Sequence, residues 1–105
     1  MRGTLPAAYR SFADTHPQVM EAYEQLGEAC GVSGPLDRKT TELVKLGLAV
    51  GARLEGAVHS HVRRALDADA SPDEIRHAIR LALTTLGFPT MMAALSWVND
   101  VLMEA

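Results

Sequence analysis

The sequence is poor in cysteine and has none of the long apolar runs that mark membrane proteins. Cys30 is the single cysteine among 105 residues, so an intramolecular disulfide is excluded and a reducing compartment is compatible with the chain. No stretch approaches the roughly 18 apolar residues of a membrane span, and the amino terminus has no apolar signal segment. We therefore expect a cytoplasmic protein that does not associate with membranes.

Strong positive charge and flexible linkers are also missing. The net charge is -3 and the sequence pI is near 5.7, values that do not favour binding to a phosphate backbone. We expect no nucleic-acid partner. Since 48% of the residues are hydrophobic and no glycine- or serine-rich tract divides the chain, we predict a single domain over residues 1–105 with one core.

Apolar periodicity and helix punctuation predict an all-α bundle of about five or six helices, without a convincing strand. The predicted helices begin at Pro6, at Pro17 after a cap at Thr15 or His16, after the cap Asp37, near Leu54, at Pro72 and near Thr90. Gly51 and Ala52 separate two of these helices by a tight break. The two helices are therefore expected to form an antiparallel hairpin.

The clearest helix start in the sequence is at residues 71–74, which read Ser-Pro-Asp-Glu. This is a capping box with proline at the first helical position and acids in the first turn. The predicted helix continues to Leu86 and ends at Gly87 in a left-handed glycine cap, with Pro89 two residues later.

Several predicted helices are apolar on most of their circumference, the helix after Asp37 in particular. A chain of this size offers more apolar surface than one core absorbs, so we expect a homo-oligomer. The alternative is that these faces bury one another within a monomer.

Four positions in the hairpin form a recognisable pattern. Glu42 is followed after eleven residues by Leu54, after two more by Ala57, and after three more by His61. This spacing resembles the active-site pattern of the alkylhydroperoxidase D and carboxymuconolactone decarboxylase superfamily. In redox members of that superfamily, cysteines occupy the positions of Leu54 and Ala57.

Three further segments, residues 36–39, 61–66 and 71–75, resemble the same family in order and spacing. The resemblance runs from about Pro35 to Leu102. It implies an alkylhydroperoxidase D-like helical bundle that assembles from dimers into trimers or hexamers, often with active sites near subunit boundaries.

The missing cysteines argue against the redox chemistry of the family. The resemblance implies that glutamate and histidine manage protons for a thiolate, and neither Leu54 nor Ala57 supplies one. Cys30 has no resolving partner and is expected to be a small buried hydrophobe rather than a catalyst. Thiol peroxidase activity is therefore not expected.

The carboxymuconolactone decarboxylase branch, as the resemblance implies, also dispenses with the cysteine pair. We predict non-redox acid/base chemistry on a small carboxylate or lactone, with no cofactor. His61 is the general acid/base, since histidine titrates near neutrality, and Glu42 orients it or exchanges protons with it. His59 is a second candidate donor, although it points about 160° away from His61 on a helix. Arg53 or Arg63 is a candidate for holding a substrate carboxylate.

Leu54, Ala57 and Trp97 are candidate substrate-binding residues. Leu54, Ala57 and His61 share one helix face, which gives the predicted site an apolar floor. We weigh a catalytically inactive protein equally with an enzyme. In that case Glu42 and His61 form a structural hydrogen bond in a ligand-binding or assembly module of the same fold.

Metal binding is a third function class, and we predict no metal site. Glu42, His59, His61 and His77 offer oxygen and imidazole ligands. His-x-His on one helix directs its ligands apart, so a site built on these residues needs completion across a subunit interface.

Overall fold

The computed structural model describes residues 5–104, and these residues are helical without any strand. Six helices have nine or more residues and a seventh is a single turn. The helices are α1 (Ala7–Thr15), α2 (Pro17–Gly31), α3 (Arg38–Gly51), α4 (Glu55–Asp67), α5 (Pro72–Arg80), α6 (Leu83–Leu86) and α7 (Phe88–Leu102). The predicted all-α class is confirmed. Over residues 5–104, no helix is both long and apolar enough to cross a membrane.

The described residues divide into two compact units, residues 5–36 and residues 37–104. In the first unit α1 packs on α2, and the Tyr9 hydroxyl donates to Glu24 at 3.1 Å. No residue of either helix is buried. His16 stands at the N-cap of α2, and its side chain makes no capping hydrogen bond. Cys30 is exposed, so the prediction of a buried cysteine is wrong.

The second unit is built on the predicted hairpin of α3 and α4. Asp37 caps α3 by accepting a hydrogen bond from the Thr40 amide at 2.7 Å, as predicted. Residues 52–54 connect the helices, with Arg53 at a φ of 58° and the Leu54 amide bonded to the Ala49 carbonyl at 3.0 Å. Three connecting residues suffice to reverse the chain, so α4 runs antiparallel to α3.

One core joins the helices of the second unit. The buried apolar side chains come from α3, α4, α5 and α7 and from the loops between them. They are Leu46, Ala49, Val50, Val58, Val62, Ala65, Ala70, Ile75, Ile79, Ala82, Met91, Ala94, Val98 and Val101. The core occupies one side of α3 only. Val44 and Leu48 remain 48% and 67% exposed. The apolar circumference of α3 suggested coverage on most sides, but within this chain only one side is covered.

The predicted capping box is present at α5. Ser71 Oγ accepts from the Glu74 amide at 3.0 Å, and Glu74 Oε1 accepts from the Ser71 amide at 2.9 Å. The predicted extent of this helix is wrong, because α5 ends at Arg80 and the one-turn α6 follows. At the break the Ala82 amide donates to the Ile79 carbonyl at 3.0 Å, three residues back instead of four, which apolar periodicity does not reveal.

Gly87 differs in detail from the predicted left-handed cap. Its φ of 97° and ψ of 163° combine a positive φ with an extended ψ, a conformation essentially restricted to glycine. The chain passes directly into α7, which begins at Phe88, two residues before the predicted start, with Pro89 in its first turn.

A candidate carboxylate and imidazole site

Glu42 and His61 meet across the hairpin. Glu42 lies in the second turn of α3 and His61 lies midway along α4, and His61 Nδ1 is 2.9 Å from Glu42 Oε1. Glu42 is 8% exposed, although it is a charged residue type that is rarely buried without a partner. The His61 side chain is 19% exposed, so the pair lies at the edge of the core.

The geometry fixes which atoms of the pair are available for chemistry. An ionised carboxylate only accepts hydrogen bonds, so Nδ1–H of His61 donates to Glu42 and Nε2 is the nitrogen left for another partner. Within residues 5–104, Arg63 Nε is the one buried side-chain nitrogen or oxygen without a partner. Nε2 is the ring nitrogen of His61 that does not contact Glu42, and the His61 side chain is 19% exposed. It can accept or release a proton.

The positions of the absent cysteines lie at the start of α4. Leu54 is the N-cap residue, makes no side-chain cap and is 54% exposed. Ala57 is half-buried and packs against the core, one helical turn before His61. Hydrocarbon at both positions provides apolar contact near the imidazole and no nucleophile.

Arg53 and Trp97 have partners within the chain. Arg53 Nη2 donates to the Thr90 hydroxyl at 2.9 Å. This contact occupies one of the five N–H groups of the guanidinium. Trp97 is half-buried against the core. The roles predicted for the two side chains in substrate binding stay predictions.

His59 has a different partner from His61. Its Nε2 lies 3.0 Å from Asp100 Oδ2 on α7, whereas His61 contacts α3. Glu55, one turn before His59, also lies close to this pair. This contact joins residues 41 positions apart, so no local pattern in the sequence predicts it.

The second unit also has an open groove of about 510 Å³ between α3, α5 and α6. Its wall is mainly apolar, with Val44, Gly47 and Leu81 among the lining residues and His77 and Glu74 as polar members. Glu42 and His61 do not line it. This groove and the carboxylate and imidazole pair are therefore separate features.

The sequence of this chain matches that of a known protein family. The sequence profile of the carboxymuconolactone decarboxylase family matches residues 17–100. The chain belongs to this family. Membership of the carboxymuconolactone decarboxylase family confirms the resemblance carried by Glu42, His61 and the segments around them. It establishes the fold, whereas the chemistry of any one member must be argued from its site.

Two similar proteins can be named. An uncharacterized protein of Haemophilus influenzae is 38% identical over 50 residues, which cover 48% of this chain and 44% of that protein. The match thus spans less than half of the relative's length. The crystal structure of an apo carboxymuconolactone decarboxylase family protein from Legionella pneumophila superposes with a TM-score of 0.76 at 25% identity, covering 91% of this chain and 86% of that one.

Proposed function

We propose that this carboxymuconolactone decarboxylase family member catalyses non-redox acid/base chemistry on a small carboxylate or lactone, with Glu42 and His61 as its proton-handling pair. The observation that carries the proposal is the 2.9 Å hydrogen bond from the imidazole to a carboxylate that is itself buried. A buried carboxylate on one nitrogen sets the tautomer and leaves the other nitrogen for the substrate.

In the proposed mechanism, His61 Nε2 takes a proton from the substrate carbon next to a carbonyl group. The imidazolium formed in this step is stabilised by Glu42, which accepts from Nδ1–H and remains a carboxylate. Nε2 then returns the proton to the new position on the substrate. No electron leaves the substrate, so the absence of sulfur at Leu54 and Ala57 does not impede the step.

The remaining site residues are assigned to binding. Leu54 and Ala57 offer apolar contact on the helix face of His61. Arg53 has further N–H groups beyond the one bonded to Thr90, and these suit a substrate carboxylate. His59 takes no step in this mechanism because its Nε2 is engaged with Asp100, and its role as a second donor stays a prediction.

The experiment compares His61→Ala and Glu42→Gln with the wild type on a panel of small lactones and β-keto acids. His61→Ala should lose turnover, and Glu42→Gln should lower it by about 10²-fold or more, in the range of general acid/base contributions. His16→Ala is the matched control, since His16 is an exposed histidine that lies on neither α3 nor α4 and is not among the groove residues. Turnover that survives His61→Ala would refute the mechanism.

A second candidate function is a ligand-binding or assembly module without turnover. It is favoured by the position of the groove, whose lining does not include Glu42 or His61. In that case the wild type turns over no member of the panel, and both substitutions mainly lower the melting temperature. Thermal-shift screening of the same compounds against wild type and His61→Ala separates binding at the pair from binding in the groove.

We further propose that the protein is a homo-oligomer, a trimer or hexamer built from dimers. The support is apolar surface left open on the second unit. Exposed large hydrophobic side chains there range from 41% to 72% exposure, among them Leu48, Leu81, Phe88 and Met103. Light scattering coupled to gel filtration tests the assembly, and a monomer at micromolar concentration contradicts it. Leu48→Asp should shift any assembly toward smaller species.

A further inference from the structure

A second cluster of ionisable side chains lies on the other side of α4 from the proposed catalytic pair. It consists of Glu55 and His59 on α4 and Asp100 on α7. One ligand atom from each residue, a carboxylate oxygen or an imidazole nitrogen, can be chosen so that all three lie within 4.8 Å of one another. We propose that these three residues bind a divalent transition-metal ion, with Zn²⁺ as the ion of reference.

The ligand types and their spacing suit such an ion. Imidazole nitrogen with carboxylate oxygen is a donor set used by zinc and its neighbours in the first transition row. Glu55 and His59 are separated by four residues, so they stand one above the other on a single helix face. This is the helical spacing that the histidine pair His59 and His61 lacks.

The distances are also compatible with coordination. Ligand atoms about 2.1 Å from a tetrahedral Zn²⁺ are about 3.4 Å from each other. His59 Nε2 and Asp100 Oδ2 are already 3.0 Å apart, and Glu55 has to close a gap of at most 4.8 Å by rotating its exposed side chain. Three protein ligands leave at least one coordination position for water.

The helices hold two of the ligands in place before any ion arrives. Val58 and Val62 on α4 and Val98 on α7 are fully buried in the shared core, and α4 packs extensively on α7. His59 and Asp100 are therefore brought together by packing. Their contact does not require Glu55, and two carboxylates as close as Glu55 and Asp100 favour a positive charge between them.

The test uses tag-free protein carrying Cys30→Ser, because an exposed cysteine thiolate can bind Zn²⁺ independently of the cluster. Zn²⁺ binding is titrated after chelator treatment, in competition with a chromogenic chelator, and Co²⁺ absorption reports the ligand geometry. We expect one equivalent of Zn²⁺ per chain. His59→Ala, Glu55→Gln and Asp100→Asn should each weaken binding by at least about tenfold, since loss of even an outer-shell partner costs about that much.

The controls are His77→Ala and Glu104→Gln, which remove an exposed imidazole and an exposed carboxylate outside the cluster. Both should bind Zn²⁺ like the parent protein. Glu55→Gln keeps the proposal testable if His59→Ala folds poorly, because Glu55 is exposed in the first turn of α4. The proposal is overturned by the absence of stoichiometric binding, by equal binding in all variants, or by binding that depends on His61 instead of His59.

Discussion

Arg53 donates from Nη2 to the Thr90 hydroxyl at 2.9 Å and thereby ties the α3 to α4 turn to the first turn of α7. The backbone of Arg53 has a φ of 58°, a left-handed conformation that residues other than glycine seldom adopt. Its side chain thus stabilises a turn that its backbone strains. The hydrogen bond raises the free energy of unfolding and the positive φ lowers it, and substitutions at Arg53 can separate the two effects.

Arg53→Ala should lower the free energy of unfolding by about 1 kcal/mol, because the buried Thr90 hydroxyl loses its partner while the positive φ remains. Arg53→Gly loses the same hydrogen bond but relieves the backbone, so it should be about 1 kcal/mol more stable than Arg53→Ala. Urea denaturation of the two variants measures the difference. An alanine variant equal to or more stable than the glycine variant would contradict the account.

Leu46 and Leu48 offer a matched pair on α3. Leu46 is fully buried, so Leu46→Ala should cost about 2–5 kcal/mol through lost contacts and a cavity. Leu48 is 67% exposed, and Leu48→Ala should change the stability of the single chain by less than about 0.5 kcal/mol. Denaturation at several protein concentrations checks both. A cost at Leu48 that disappears on dilution identifies a subunit contact, whereas a large, concentration-independent cost would be inconsistent with the exposure of Leu48.

The capping box gives a third prediction. Ser71→Ala removes the acceptor of the Glu74 amide at the start of α5 and should lower the free energy of unfolding by about 1 kcal/mol. Ser96→Ala, at an exposed position within α7, is the control and should be neutral or slightly stabilising. Thermal and chemical denaturation measure both variants, and equal effects would show that the cap contributes nothing.

The carboxylate of Glu74 gives a pH-dependent prediction. Hydrogen bonds from the Ser71 amide and from Lys39 hold the pKa of Glu74 below its ordinary value of 4.5. A lowered pKa in the folded state means that the contribution to stability is complete above pH 4.5 and is lost as the pH falls through the lowered value. Glu74→Gln should therefore be less stable than the wild type near neutral pH.

This difference in stability between wild type and Glu74→Gln should shrink in acid. Urea midpoints near neutral pH and well below pH 4.5 check the sign. Glu104→Gln, which removes an exposed carboxylate just beyond α7, controls for the general change in charge. A difference that grows on acidification would contradict the assignment.

Local signals in the sequence predicted much of the fold. Asp37 and Ser71 were identified as caps because capping depends on residues three positions apart. The meeting of Glu42 and His61 followed from helical periodicity and a short connection, both of which are local. The break after Arg80 was missed, because the Ala82 amide bonds to the Ile79 carbonyl, three residues back instead of four, and no glycine or proline marks the position.

Contacts between distant segments could not be predicted in the same way. Asp100 reaches His59 only because α7 packs on α4, and one sequence does not specify that register. The exposure of Leu48 and Cys30 likewise depends on which surfaces the folded chain has available to cover them. Periodicity indicates that a face is apolar, but it does not identify the surface that covers it.

Both partners of the carboxylate and imidazole hydrogen bond lie within 20 consecutive residues, and only the α3 to α4 turn has to close for them to meet. Contacts of such short sequence separation carry a small loop-closure cost and form readily. We expect this pair to assemble early in folding, before α7 is in place. Its geometry should therefore tolerate changes in the carboxyl-terminal third of the chain better than the contact between His59 and Asp100 does.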